Sequence, residues 1–335
     1  MYVDVHGHLA PYGETGGGPP SLRDPEAAIE AKRALGIGMT LIGSPAGAGS
    51  MLPGSGVDNY RQSADQIRAH NDLMGDLVSR FPEALRGYVY LDPFGGDAML
   101  AMAEDLLRDW RFVGLIVNTS IRDEYLGSPR AADFFAFAAR AGVPVLLHPP
   151  AEPVGTASMP DPGLVEHVVR PCDITMSVAS IVCGGWLERH PELLLIAAAG
   201  GGGIAQLAEK LDLATQPRPG PPTPGRRAAL LGRASDSLRR FHVETSCPSA
   251  AQLRANLEFF GPGRVLLGSD APPLMDVLGR IVGLVDGLPD GVRGRVGETN
   301  ARTLFDLAPA TIRPAPDAGA IAGAAAIAGD AATVG

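Results

Sequence analysis

"LLLIAAAGGGGIAQL", Leu193 to Leu207, contains a strand, a turn and the start of a helix with almost nothing polar between them. A short apolar run bounded by glycines reads as a strand buried on both faces. The apolar spacing that resumes at Ile204 predicts a helix to Ala214. One strand followed by one helix is the unit of a parallel sheet, because parallel neighbours need a crossover connection. The number of such units decides the architecture.

Working outward, the pattern repeats. Tyr2 to Leu9 reads as a first strand, and Asp24-Pro25 opens a helix through Leu35 with an N-cap carboxylate and a proline at the first helical position. "GMTLIGSP" is a second strand, followed by the glycine-rich loop Gly47 to Gly56 and a helix from Asp58 to Arg80. "LRGYVYLDP" precedes a helix from Asp97 to Trp110, "FVGLIVNTS" one from Pro129 to Arg140, and "VPVLLHPP" helices between Gly163 and Glu188. After Leu193–Leu207 comes the Pro-rich insertion "QPRPGPPTPGRR", which cannot continue a helix or a central strand and reads as a surface loop. "FHVETS" and "RVLLGSDAPP" are the seventh and eighth strands.

Eight βα units match an α/β fold of the (β/α)₈ TIM-barrel type, built as a single domain over residues 1–307. The alternative is a doubly wound open sheet, which a G-x-G-x-x-G run after the first strand would favour; none is there. Residues 308–335 are small-residue low complexity and read as a flexible tail.

Composition narrows the function. The 335-residue chain has a net charge of −9 with no basic stripe, which argues against nucleic acid and anionic membrane as partners and favours a small molecule. Three cysteines with no close metal spacing, and no signal-peptide pattern at the start, point to a reducing, cytoplasmic setting.

The C-terminal ends of the eight strands carry His6, His8, Asn118, His148, Glu244 and Asp270. In a strand, residues two apart share a face, so His6 and His8 point together. Barrel closure lets His148 and Asp270 converge on them, giving an N₃O donor set suited to Zn²⁺, with Mn²⁺, Fe²⁺ or Co²⁺ as alternatives. Three neutral imidazoles, one carboxylate and a dication leave a net positive charge that attracts an anionic substrate. An H-x-H alone can be two surface histidines, and Asp270 can cap the turn that follows it. His70, His167 and His190 fall in helices or at a helix end and read as surface or boundary residues. Trp186 and Phe135 read as core or interface.

These segments together, with "HNDLMGDLVSRFPEALRGYVYLDP", "WLERHPELLLIAAAGGGG" and "ETNARTLFDL", resemble the amidohydrolase superfamily. The likeness is to the amidohydrolase-related branch that includes aminocarboxymuconate-semialdehyde decarboxylase. The resemblance implies one catalytic divalent metal held by His6, His8, His148 and Asp270. It also implies a hydrolase or decarboxylase acting on a small carboxylated or carbonyl-bearing molecule, in a barrel that pairs as a dimer. Two-metal relatives carry a lysine at the end of strand four; here that strand ends Val117-Asn118-Thr119, so a bridged pair of metals is not expected.

The family ends strand six in a histidine followed by glycines, and this chain has Ala199 before its glycines. Glu244 is the candidate substitute base, its bland alternative being a carboxylate tied to neighbouring backbone or an arginine. Asp270 is a second candidate for proton exchange. Asn118 and Arg122 are the substrate-binding candidates, since a guanidinium binds a carboxylate bidentately. Two other readings stay open: a lyase, isomerase or cyclase using the metal as a Lewis acid, and a catalytically decayed binding barrel.

Overall fold

The computed structural model describes residues 1–10, 23–43, 62–159, 161–215 and 232–307. The glycine-rich loop Gly47 to Gly56, the Pro-rich insertion and the tail from residue 308 lie outside them. Eight strands form one parallel sheet in chain order: β1 (Tyr2–His8), β2 (Ile37–Gly43), β3 (Leu85–Tyr90), β4 (Phe112–Asn118), β5 (Val145–His148), β6 (Leu195–Ala197), β7 (His242–Glu244) and β8 (Val265–Leu266). The seam between first and last strand is joined by backbone bonds. Val5 N donates to Leu267 O at 2.9 Å, Asp270 N to His6 O at 2.7 Å and His8 N to Ala271 O at 3.0 Å. The sheet is therefore a barrel.

A helix follows each strand: α1 (Pro25–Ala34), α2 (Ala64–Arg80), α3 (Asp97–Leu106), α4 (Ala132–Ala141), α5 (Arg170–Cys183), α6 (Ile204–Thr215), α7 (Ala250–Phe260) and α8 (Leu278–Asp286). Their starts are written locally. Asp24 caps α1 through Ala27 N, and Ser63 and Gln66 form a reciprocal capping box on α2. Strands covered on both faces need continuous apolar runs, and Leu115, Val117, Val145, Leu147, Ile196 and Val243 are all fully buried. None of the described helices is long and apolar enough to cross a membrane.

Several boundaries differ from the sequence reading. The eighth strand pairs with β7 only over Val265 and Leu266, because its chain then turns its hydrogen bonds across the seam to β1. Gly268 lies in this stretch, where a Cβ would come within 2.2 Å of Glu244 Oε2. Helix α3 stops at Leu106 rather than Trp110, and Pro129–Ala131 winds as a 3₁₀ turn ahead of α4. His70 is a correction: it lies on α2 at 5% exposure, not at the surface. Its Nδ1 has no hydrogen-bond partner among the described residues, and burial pulls its pKa down to about 4. Trp186 and Phe135 are buried and pack with ring centroids 4.9 Å apart.

Candidate metal centre and active site

Strand β1 brings His6 and His8 to the mouth of the barrel, β5 brings His148, and the segment after β8 brings Asp270. One nitrogen or oxygen from each of the four lies within 4.8 Å of the others. Among the described residues this is the one group of three or more such side chains arranged to hold a metal. His8 Nε2 stands 3.1 Å from His6 Nε2, 3.2 Å from His148 Nε2 and 2.9 Å from Asp270 Oδ1.

The tautomer of His8 tests whether a cation fits. Its Nδ1 lies 2.9 Å from Gly43 O, which can only accept, so Nδ1 carries the hydrogen. In a neutral ring Nε2 is then a lone pair, aimed at a carboxylate oxygen and two further imidazole nitrogens. That arrangement is repulsive unless positive charge lies among them. Metal–ligand bonds of about 2.1 Å put neighbouring donors roughly 3.0–3.4 Å apart, close to what is seen here. The donor set fits one divalent cation.

The surroundings hold these donors in place. Asp4 is fully buried; its carboxylate accepts from His6 N at 3.1 Å, Ser269 N at 3.0 Å, Ser269 Oγ at 2.6 Å and Lys32 Nζ at 2.7 Å. One carboxylate thus ties β1 to the residue before Asp270. Gly7, between the two histidines, permits the packing: a Cβ there would meet Thr40 Cγ2 at 2.3 Å and Lys32 Nζ at 2.8 Å.

Glu244, at the end of β7, faces His6 Nδ1 across 3.4 Å and accepts from Ser246 N at 2.6 Å and Ser246 Oγ at 2.7 Å. Its side chain has no exposure, whereas that of Asp270 is 16% exposed. Only Asp270 of the two lines the cavity.

Charge follows from this crowding. Burial would lower the pKa of His6, but Asp270, Glu244 and Asp4 outweigh it and the net shift is upward. His148 is held well below the usual histidine range by burial and by the neighbouring His8, His6 and Arg170. Burial opposes ionisation of Asp270, yet His6, His8 and His148 drive its pKa far down.

A cavity of about 300 Å³ opens over the donors. Ala198, Ala199, Leu274 and Val277 give it an apolar wall, and Glu166, His167 and Arg170 a polar one. Ala199 sits at φ 48°, and the next three residues, Gly200 to Gly202, at 64°, 76° and 60°. Gly202 has no room for a side chain, since a Cβ would lie 2.2 Å from Pro171 O. Gln252 Nε2 donates to Ala199 O, Gly200 O and Gly202 O, and Asn256 Nδ2 to Gly200 O. The glycine run therefore serves the turn, and the turn delivers only a methyl group.

Asn118 is buried at the end of β4, its Nδ2 3.3 Å from Tyr90 Oη. Arg122 is exposed, at φ 56° between the two strands of a small ribbon, Ser120–Ile121 and Glu124–Tyr125, and is not among the cavity's lining residues. His167 and Arg170, passed over in the sequence, do line it. The available signal was Pro171, a proline inside a helical pattern.

The amidohydrolase family profile matches residues 3–307, nearly the whole of the described chain. The chain belongs to the amidohydrolase family. A curated relative, the 2-amino-3-carboxymuconate-6-semialdehyde decarboxylase of Dictyostelium discoideum, is 22% identical over 253 residues, covering 74% of this chain and 68% of its own. The 2,6-dihydroxybenzoate decarboxylase from Rhizobium superposes with a TM-score of 0.72 at 20% identity, over 91% of this chain and 98% of its own. A dihydroxybenzoic acid decarboxylase from Polaromonas, solved with manganese and the inhibitor 2-nitroresorcinol, gives 0.72 at 18% identity, over 92% and 98%. These two structures share the barrel.

Proposed function

We propose that this amidohydrolase-family chain is a metal-dependent carboxy-lyase that removes carbon dioxide from a small aromatic carboxylic acid. The observation that carries the reading is the four-donor cluster beneath a cavity that contains Ala199 where an imidazole would be expected. His6, His8, His148 and Asp270 would hold one divalent ion. Zn²⁺ suits the donor set, and Mn²⁺ is the alternative that the manganese of the Polaromonas structure supports. Such an ion supplies electrophilic pull on substrate oxygens.

The missing imidazole weighs more heavily against hydrolysis than against decarboxylation. Hydrolysis needs an attacking water and a base to activate it, help worth about 10²–10⁴-fold. Decarboxylation consumes no water. The bond between ring carbon and carboxylate breaks, its electron pair stays on the ring carbon, carbon dioxide leaves and a proton takes its place. Asp270, ionised at rest and partly exposed in the cavity, takes a proton from solvent and passes it to that carbon. Glu244, fully buried behind His6, orients that ring instead. The apolar wall lies along the aromatic ring and keeps water from it.

The test is carbon dioxide release from a panel of hydroxylated benzoates, beside hydrolysis of amides and lactones, with protein of measured metal content. Decarboxylation that disappears on chelation is expected, with hydrolysis emerging, if at all, only in Ala199→His. Hydrolysis by the unaltered protein without decarboxylation would replace this reading with that of a hydrolase.

A further inference from the structure

Glu166 and His167 reach the cavity from an irregular turn just before α5, and Arg170 from the first residue of that helix. Residues Val165–Val169 wind as a π-helix, and Arg170 N donates to Val165 O, five residues back. Pro171 gives the cause. It has no N–H to continue the ladder, and its ring crowds the carbonyl of residue 167, so the turn widens. Such π turns concentrate at functional sites because they redirect side chains. This one is braced from behind: Thr175 Oγ1 donates to Pro171 O at 3.0 Å and accepts from Gly203 N at 2.8 Å.

The Arg170 side chain is 13% exposed and spans two surroundings. Nη1 donates to Glu166 Oε2 at 2.9 Å, and Nη2 lies 3.5 Å from Pro149 O, next to His148. Its charge is felt at His148, where it helps to depress the imidazole pKa. A guanidinium is planar and always charged, and matches a carboxylate or phenolate better than any other side chain. Among the described residues, Arg170 is the one arginine lining this cavity.

We propose that Arg170 is a specificity-determining residue that grips a second anionic group of the substrate, a carboxylate or phenolate across the ring from the group lying at the donor cluster. The substrate class is thereby narrowed to aromatic acids with two anionic groups. Glu166 holds the guanidinium in position and competes with the ligand for it. This assignment rests on the aromatic-acid reading above, and its test is separable from it.

The test measures binding calorimetrically, with manganese-loaded protein and two probes, benzoate and benzene-1,3-dicarboxylate. The unaltered protein is expected to bind the diacid roughly 10- to 100-fold more tightly than the monoacid, the range of a charge-assisted hydrogen-bond pair. Arg170→Gln should abolish that preference and Arg170→Lys retain a part of it. Glu166→Gln, which removes the ion pair but keeps the guanidinium, should preserve or increase it. A merely structural role would make Arg170→Gln and Glu166→Gln behave alike. A diacid preference that survives Arg170→Gln, equal changes in both variants, or no binding of either probe by the unaltered protein would each overturn the assignment. Failure to release carbon dioxide while the binding contrast holds would remove the carboxy-lyase reading and leave the anchor in place.

Discussion

The tip of β1 presents two imidazoles on a strand whose polar neighbours are engaged by a single buried carboxylate, whereas the tip of β6 presents a methyl group in a turn whose carbonyls are just as firmly held. Asp4 binds His6 N, Ser269 and Lys32 at the first; Gln252 and Asn256 bind Ala199, Gly200 and Gly202 at the second. Both tips are conformationally specified, and only one carries donors. The difference teaches that backbone geometry and chemistry are separate properties of a strand end. A side chain can be lost from a site while the scaffold that would aim it stays assembled.

The largest break in the comparison is His6→Ala with His8→Ala. About one divalent ion per chain in the unaltered protein should fall to near zero by elemental analysis, since two of four donors are gone. Asp4→Ala should follow. It leaves the Lys32 ammonium buried and unpaired, and a loss of about 3–5 kcal/mol in denaturant unfolding is expected. A loss under about 1 kcal/mol would mean that β1 is held by something other than this carboxylate.

At the other tip the effects are smaller and leave the donors alone. Gln252→Ala should cost about 1–3 kcal/mol by freeing buried carbonyls, while metal content stays at the unaltered level. Metal lost in step with stability would show that the two tips are coupled. Ala199→Gly should raise stability by up to about 1 kcal/mol, because φ 48° strains an alanine more than a glycine. A decrease would mean that the methyl group packs usefully against the cavity wall.

Much of this was legible in the sequence because barrel strands and strand ends obey short-range rules. The alternation of apolar runs with helical periods gives eight units, and an H-x-H on a strand must point one way. His148 and Asp270 could be paired with His6 and His8 because closure brings strand ends to one rim. What was not legible depends on contacts between elements distant in sequence. His70 is buried by tertiary packing that the helical pattern of α2 does not reveal. The substrate side of the cavity was sought at Arg122, just after β4, by proximity along the chain. The structure instead lines it with Arg170, brought there by a π turn whose sequence trace is one proline.

The joint between β1 and β8 also dictates an order of events. Asp4 meets Ser269 across 265 positions, and His6 meets Asp270 at the same rim. A chain made from its N-terminus exposes His6 and His8 before His148, and Asp270 after all three. The fourth donor therefore joins the three histidines only when the seam between β8 and β1 closes. A fragment ending between residues 148 and 270 carries the three donor histidines without the carboxylate that completes the set.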